Sequence, residues 1–374
     1  MGPDAGDDGR FMALALALGR RGLGRTWPNP AVGAVIVNGG IIVGRGWTQP
    51  GGRPHAEVEA LRRAGEAARG ATLYVTLEPC SHHGKSPPCT DAIVAAGVAG
   101  VVSALGDPNP KVSGQGYARL RAAGITVVTG VGADEARRDH AGHIRRVCDG
   151  RPNVTLKLAV SADGKVGAAG RKPLAITGAE TRARVHLLRA QNDAIMVGIG
   201  TVLADDPLLT CRLPGMEKNS PVRIVLDRAL RLPPSSRLAQ TARQTPLWAV
   251  CGADAPQVAE QALLAQGVDI FRIEAAVQSE QNAGRLDLAV VLKLIAGRGI
   301  TRLMVEGGPT VAASFVAADL VDEAMVFRSP KTVGADGIDA LEGLPLSELT
   351  QSPRLRALAA LPMGGDICDV YGRR

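Results

Sequence analysis

The chain is poor in aromatic residues, at 3% of 374 positions: four Phe, three Trp and three Tyr. Single-stranded nucleic acid is gripped by basic grooves interleaved with stacking rings, and so few rings argue against that class. Charge of one sign is not concentrated either. The net charge of +7 is spread evenly, with 17 basic and 13 acidic side chains in residues 1–150 and 26 and 23 in the rest. A surplus of that size suits a protein that meets small anions. Cysteine is scarce, six in all, which excludes a disulfide framework. Long hydrophobic runs are missing: the longest, Phe11–Leu18, has eight residues, and a membrane span needs about 20. Asp4, Asp7 and Asp8 precede that run, where a secretory leader would carry positive charge. These absences lead us to expect a soluble cytoplasmic protein with no membrane and no nucleic-acid partner.

What is present is alternation. Strand-like runs at Ala31–Val37 and Ile41–Gly44 flank Asn38-Gly39-Gly40, a hairpin signal. Helical and strand-like segments then take turns through Thr126–Thr129, and the rhythm restarts at Val154–Val160 after Gly150-Arg151-Pro152. The second half alternates again, down to strand Arg302–Val305 and helix Thr310–Ala318. Two α/β domains, 1–150 and 151–374, are expected, each a sheet covered by helices. From Ser329 onward only one closing strand is expected, near Cys368–Tyr371.

The chemistry concentrates in the first half, which holds five of the six histidines and the close pair Cys80 and Cys89. His55-Ala56-Glu57 opens a helix, and Pro79-Cys80 follows the strand-like ATLYVTLE. One imidazole and two thiolates leave the fourth tetrahedral position of a zinc ion to water, the open arrangement of catalytic zinc. Zinc brings that water's pKa from about 16 to about 7, so a hydroxide is available at neutral pH. Glu57 points away from the metal and can move the proton. His82 and His83 compete as ligands, and a fourth protein ligand would make the site structural instead. The order H-x-E and then P-C with a second Cys follows the nucleobase-deaminase signature, with a longer Cys–Cys spacing.

The segments PNPAVGAVIV (28–37), HAEVEAL (55–61), TLEPCSHHGKSPPCTDAI (76–93) and GDPNPKVSGQGYARLRAAGI (106–125) resemble the bacterial riboflavin-biosynthesis deaminase. That resemblance implies a cytidine-deaminase-like three-layer fold. It also implies hydrolytic loss of the 2-amino group of a diaminopyrimidinone ribosylamine 5′-phosphate. By motif, His55, Cys80 and Cys89 bind zinc, Glu57 shuttles the proton, Asn29 hydrogen-bonds the substrate, and Lys85 and Lys111 are candidates for its phosphate.

In the second half no Gly-x-Gly-x-x-Gly follows the first strand, so a standard Rossmann site is not indicated. VTLKLAVSADGKV (154–166), HLLRAQNDAIMVGIGTVLADDPLLT (186–210) and VEGGPTVAASF (305–315) resemble the reductase half of the same bifunctional family. This implies a dihydrofolate-reductase-like α/β domain that uses NADPH to open the ribosyl ring to a ribitylamino chain. By motif, Thr201, Asp205 and the stretch Gly308, Pro309, Thr310, Val311, Ala312, Ala313 and Ser314 hold NADPH, with Ala159 nearby. Arg189, Leu209, Arg212 and Glu306 hold the substrate, and guanidinium forks suit a phosphate. Many members read Ser-x-Trp-Ile-Thr where this chain has Pro173-Leu174-Ala175-Ile176-Thr177, so the Ser and Trp contacts do not carry over; Lys172 or Arg171 is the candidate replacement. A homo-oligomer through the reductase domain fits similar enzymes.

Overall fold

The computed structural model describes residues 5–84, 86–171, 174–274 and 285–374, and the chain divides into two compact units, 1–151 and 152–374.

In the first unit β1 (Gly33–Asn38) and β2 (Ile41–Trp47) form a hairpin around Gly39-Gly40, both at positive φ as a two-residue turn requires. Next come α2 (Ala56–Ala64), β3 (Thr72–Val75), α3 (Cys89–Ala95), β4 (Gly100–Ser103), α4 (Gln115–Ala122) and β5 (Thr126–Thr129). The sheet order is β2-β1-β3-β4-β5, parallel from β3 to β5 because helices make those crossovers. Period-2 alternation sends Ala34, Ile36, Leu73 and Val75 to the face covered by α2, α3 and α4, around Ala56, Ala60, Ile93 and Leu120. Val35, Val37 and Tyr74 go to the other face and meet Phe11, Met12 and Leu16 of α1 (Ala5–Gly19). The short apolar run that sequence reading sets against a membrane span thus supplies the buried side of a helix, with Ala13 and Ala17 on its exposed side. The unit is three layers deep, closed by α5 (Ala133–Asp139) and α6 (Ala141–Asp149).

Two glycines set how closely α2 sits. A Cβ on Gly44 would lie 2.3 Å from the Ala60 carbonyl, and one on Gly46 would lie 2.1 Å from the Ala56 carbonyl. Helix and strand are therefore in backbone contact, which no side chain at these positions would permit.

The second unit opens with β6 (Asn153–Val160), β7 (Lys165–Gly167), α7 (Ala179–Gln191), β8 (Ala194–Gly198), α8 (Ile199–Asp205), β9 (Val222–Leu226), α9 (Arg237–Gln240), β10 (Leu247–Gly252), α10 (Gln257–Gln266) and β11 (Asp269–Ile273). It continues with α11 (Leu288–Gly297), β12 (Arg302–Val305), α12 (Pro309–Ala317), β13 (Glu323–Arg328), β14 (Ile338–Asp339), α13 (Ser347–Thr350), β15 (Leu355–Met363) and β16 (Asp366–Arg373). Nine strands form one sheet in the order β11-β10-β9-β8-β12-β6-β13-β16-β15, parallel from β11 to β13 and antiparallel beyond. The single closing strand expected near the end is a hairpin of two, and β13 also joins the sheet. Because β12 lies between β8 and β6, the carboxyl ends of these three strands mark a topological switch point, the usual ligand position of an open α/β sheet. Among the described residues no helix is long and apolar enough to cross a membrane.

Candidate active sites

In the first unit His55 occupies the N-cap of α2 and Cys89 opens α3, while Cys80 follows the end of β3. Three segments thereby bring three donors to one point: His55 Nδ1 lies 3.7 Å from Cys80 Sγ and 3.3 Å from Cys89 Sγ. All three donor atoms fall within 4.8 Å of one another. The Cys89 amide donates to Cys80 Sγ at 3.3 Å. Cys89, then His55, outweigh burial and hold the Cys80 thiol down at about 4, whereas its bond to Cys80 and burial push Cys89 up. Cys80 in turn raises the His55 pKa. One imidazole with two sulfurs is a donor set that fits zinc, and His82 and His83 are exposed and outside the cluster. Glu57, 4% exposed, sits one helical position beyond Ala56, and burial lifts its carboxyl above the ordinary range. Asn29 donates from Nδ2 to the Gly52 carbonyl at 2.8 Å, three residues before His55.

Glu78 carries a role that sequence reading missed. Its buried carboxylate accepts hydrogen bonds from the backbone N–H groups of Asp107 (3.3 Å), Gly114 (3.1 Å), Gly116 (2.9 Å) and Tyr117 (3.3 Å). It therefore caps α4 and ties the 106–117 stretch to the segment that carries Cys80. Asp107 is held in turn by His143 Nε2 at 2.9 Å. An acid inside an otherwise apolar run before Pro-Cys was the available signal.

In the second unit Glu306 follows β12 and accepts from Arg189 Nε and Nη2, both at 3.0 Å, and from Lys157 Nζ at 3.2 Å. Burial pushes its carboxyl up, but Lys157 and Arg189 overcome this and hold it at about 2. Arg189 Nη1 also donates to the Thr210 carbonyl at 3.1 Å. The fork expected to face a phosphate is therefore occupied by Glu306. Arg212 is the more open guanidinium, exposed and, among the described residues, bonded by its side chain to Thr210 Oγ1 at 3.5 Å.

Helix α12 starts at Pro309 with Gly308 as N-cap and no side-chain cap, so its first N–H groups are left for an anion. A Cβ on Gly308 would lie 3.0 Å from Thr201 Oγ1, and one on Gly198 would lie 2.7 Å from Val311 Cγ2. The ends of β8 and β12 are thus closely packed around that uncapped terminus, a cradle suited to the pyrophosphate of a dinucleotide.

Two family models match the chain. Residues 6–105 match the cytidine and deoxycytidylate deaminase zinc-binding region, and residues 152–368 match the RibD C-terminal domain. The chain is 41% identical over 377 residues to riboflavin biosynthesis protein RibD of Escherichia coli (strain K12), covering 96% of this chain and 98% of that protein. The chain belongs to the RibD family. Among solved structures, Acinetobacter baumannii RibD (form 1) superposes with a TM-score of 0.87 at 34% identity, covering 99% of this chain and 100% of that one. A Thermotoga maritima diaminohydroxyphosphoribosylaminopyrimidine deaminase/5-amino-6-(5-phosphoribosylamino)uracil reductase gives 0.83 at 34% identity, covering 98% and 99%. As a RibD, the chain combines a cytidine-deaminase-like zinc domain with a dihydrofolate-reductase-like domain, and is a bifunctional deaminase and reductase of riboflavin biosynthesis that uses zinc and NADPH.

The remaining RibD positions fall as follows. Thr201 is half-buried, its Oγ1 3.0 Å from where a Cβ on Gly308 would lie, and Asp205 ends α8, exposed. Ala159 is half-buried on β6, opposite Phe327. Leu209 is 3% exposed at φ +55°, with its side chain in the core, so only its backbone can meet a ligand. The same holds for Ala312 and Ala313, buried on the inner side of α12. Thr310 Oγ1 donates to Glu342, and Ser314 Oγ donates to the Thr310 carbonyl at 2.8 Å. Ala175 is exposed, and its carbonyl accepts from Lys331 Nζ at 3.5 Å. Lys85, Lys172 and Pro173 lie outside the described residues, and Lys111 is exposed. Lys157 was missed: inside an alternating strand nothing marks one lysine, and its partner is 149 positions away.

Proposed function

We propose that the first unit hydrolyses the 2-amino group of a diaminopyrimidinone ribosylamine 5′-phosphate to a carbonyl, releasing ammonia. The second unit then reduces the ribosyl carbon to a ribitylamino chain at the expense of NADPH. The observation that carries this reading is the convergence of His55, Cys80 and Cys89 beside the buried carboxyl of Glu57. Zinc, when bound, supplies a Lewis acid that makes water nucleophilic at neutral pH. Glu57, whose carboxyl burial raises above its ordinary range, acts as the carboxylate that accepts the water's proton and, once protonated, delivers it to the departing amine. Asn29, already anchored to Gly52, orients the pyrimidine.

In the second unit the uncapped start of α12, from Gly308 to Ser314, holds the NADPH phosphates with Thr201, Asp205 and Ala159 beside it. NADPH supplies the hydride. Glu306 holds Lys157 and Arg189 aligned against the substrate, and Arg212 with the backbone at Leu209 completes its binding. NADPH and six free cysteines, two of them metal-ligand candidates, suit the reducing cytoplasm.

The reductase unit also pairs with a second copy. Its edge strand β15 is exposed along nearly its whole length and, with β16, offers Leu358, Leu361 and Ile367, 44%, 37% and 43% exposed. Sedimentation should give a dimer or higher species that Leu358→Lys dissociates; a monomer at every concentration refutes the pairing. For the reaction, purified chain given the aminopyrimidine ribosylamine phosphate should release ammonia and then consume NADPH. Glu57→Gln should lower ammonia release by at least 10³-fold, and undiminished release would refute the role of Glu57.

A further inference from the structure

Two arginines reach the loop that joins Cys80 to Cys89. Arg119 approaches the Ser81 carbonyl at 3.4 Å and is neutralised by Asp91 at 2.5 Å. Arg53 comes from the segment that carries His55, two residues earlier, and donates from Nη1 to Ser86 Oγ at 2.7 Å. A methyl built on Gly84 would lie 3.5 Å from Arg53 Nη2 and 3.9 Å from His82 Nε2, so guanidinium and imidazole flank the same turn. Among the described residues Arg53 has no carboxylate partner, and its Nε and Nη2 carry no hydrogen bond.

That is an unneutralised fork on the rim of the metal cluster. Its position is well determined by its surroundings. The Asn29 amide holds Gly52, where a Cβ would meet Asn29 Nδ2 at 2.6 Å, and the Ser86 bond closes the other side. The exposed His82, His83 and Gly84 keep the rim open to solvent. The substrate read above carries a phosphate dianion on its ribosyl arm. With the pyrimidine against Glu57, that arm must leave toward the rim. Lys111 is a weaker candidate: it is exposed, and its bond to Asn109 is made by the backbone amide.

We propose that Arg53 binds the 5′-phosphate of the deaminase substrate, with the Ser86 hydroxyl as a second donor. This rests on the substrate reading of the previous section. A planar guanidinium with two open donors matches a phosphate bidentately, which an ammonium cannot do. The assignment makes Arg53 a specificity residue: it separates phosphorylated from unphosphorylated aminopyrimidines before the ring reaches the metal.

The test is steady-state ammonia release by the zinc-loaded full chain on the ribosylamine phosphate and on its dephosphorylated counterpart. Arg53→Met should raise KM for the phosphate by about tenfold or more, a loss of about 1.4 kcal/mol. Its kcat should stay within about twofold, and KM for the dephosphorylated compound should not move. Arg53→Lys should recover part of the loss, because it restores charge without the fork. Unchanged NADPH oxidation by the second unit shows that the variants are folded. A KM that rises by the same factor for both compounds, or a preference for the phosphate that survives Arg53→Met, overturns the assignment. Wild-type protein that releases ammonia from neither compound overturns the substrate reading, and this assignment with it.

Discussion

Glu306→Gln is the most informative perturbation of the second unit. The carboxylate accepts three hydrogen bonds from two cations, and the side chains of Glu306, Arg189 and Lys157 are only 14%, 11% and 12% exposed. Holding a carboxyl at about 2 instead of its usual 4.5 amounts to about 3 kcal/mol of stabilisation at neutral pH. Glutamine keeps the shape but removes the charge and turns an NH2 toward one of the cations. Two buried positive groups then face each other uncompensated, which costs about 3–5 kcal/mol when one partner of a buried pair is removed. Because the folded-state pKa is depressed, this contribution is complete above about pH 4.5 and disappears as pH falls through about 2. Native-state hydrogen exchange of β6 and β12 amides should therefore show Glu306→Gln less protected than wild type by about 3 kcal/mol at pH 7, with the gap closing toward low pH. NADPH oxidation should fall in parallel, while ammonia release stays within about twofold as the internal control. A variant within about 0.5 kcal/mol of wild type at pH 7, or a gap that ignores pH, would refute the linkage reasoning.

Cys89→Ser should lower bound zinc at least tenfold by elemental analysis and abolish ammonia release, yet leave NADPH oxidation intact, because the donor set lies wholly in the first unit. Glu78→Gln should speed exchange of the Gly114 and Gly116 amides by about tenfold or more, since an amide cannot accept from all four donors; unchanged exchange would show that the 106–117 stretch is held by other means.

How much of this could be read beforehand depends on the range of the interaction. His55, Glu57, Cys80 and Cys89 stand in short ordered motifs, so their convergence was legible once a helix was placed at 56 and a strand before 80. The parallel cores likewise follow from apolar runs such as AIMV in β8 and LMV in β12. What stayed hidden is pairing over distance. The commitment of Arg189 to Glu306 spans 117 positions, and that of Glu78 to Gly116 spans 38. The β15–β16 hairpin was hidden for another reason. LRALAALPM has neither clean alternation nor a helical stripe, and it is a strand because β16 beside it supplies the hydrogen bonds. Helix α1 escaped notice because its apolar stretch was weighed only against a lipid bilayer and a secretory leader.

The bare backbone of Gly44 and Gly46 works as a depth gauge for the acid at the heart of the first reaction. With only hydrogen atoms between β2 and the Ala56 and Ala60 carbonyls, the helix that opens with His55 rests as low as the chain allows. One added methyl on that strand would raise the whole helix and lift imidazole and carboxyl together away from the sulfurs. An inconspicuous glycine-to-alanine change at a residue that is no ligand itself would then mimic a lesion of the metal centre.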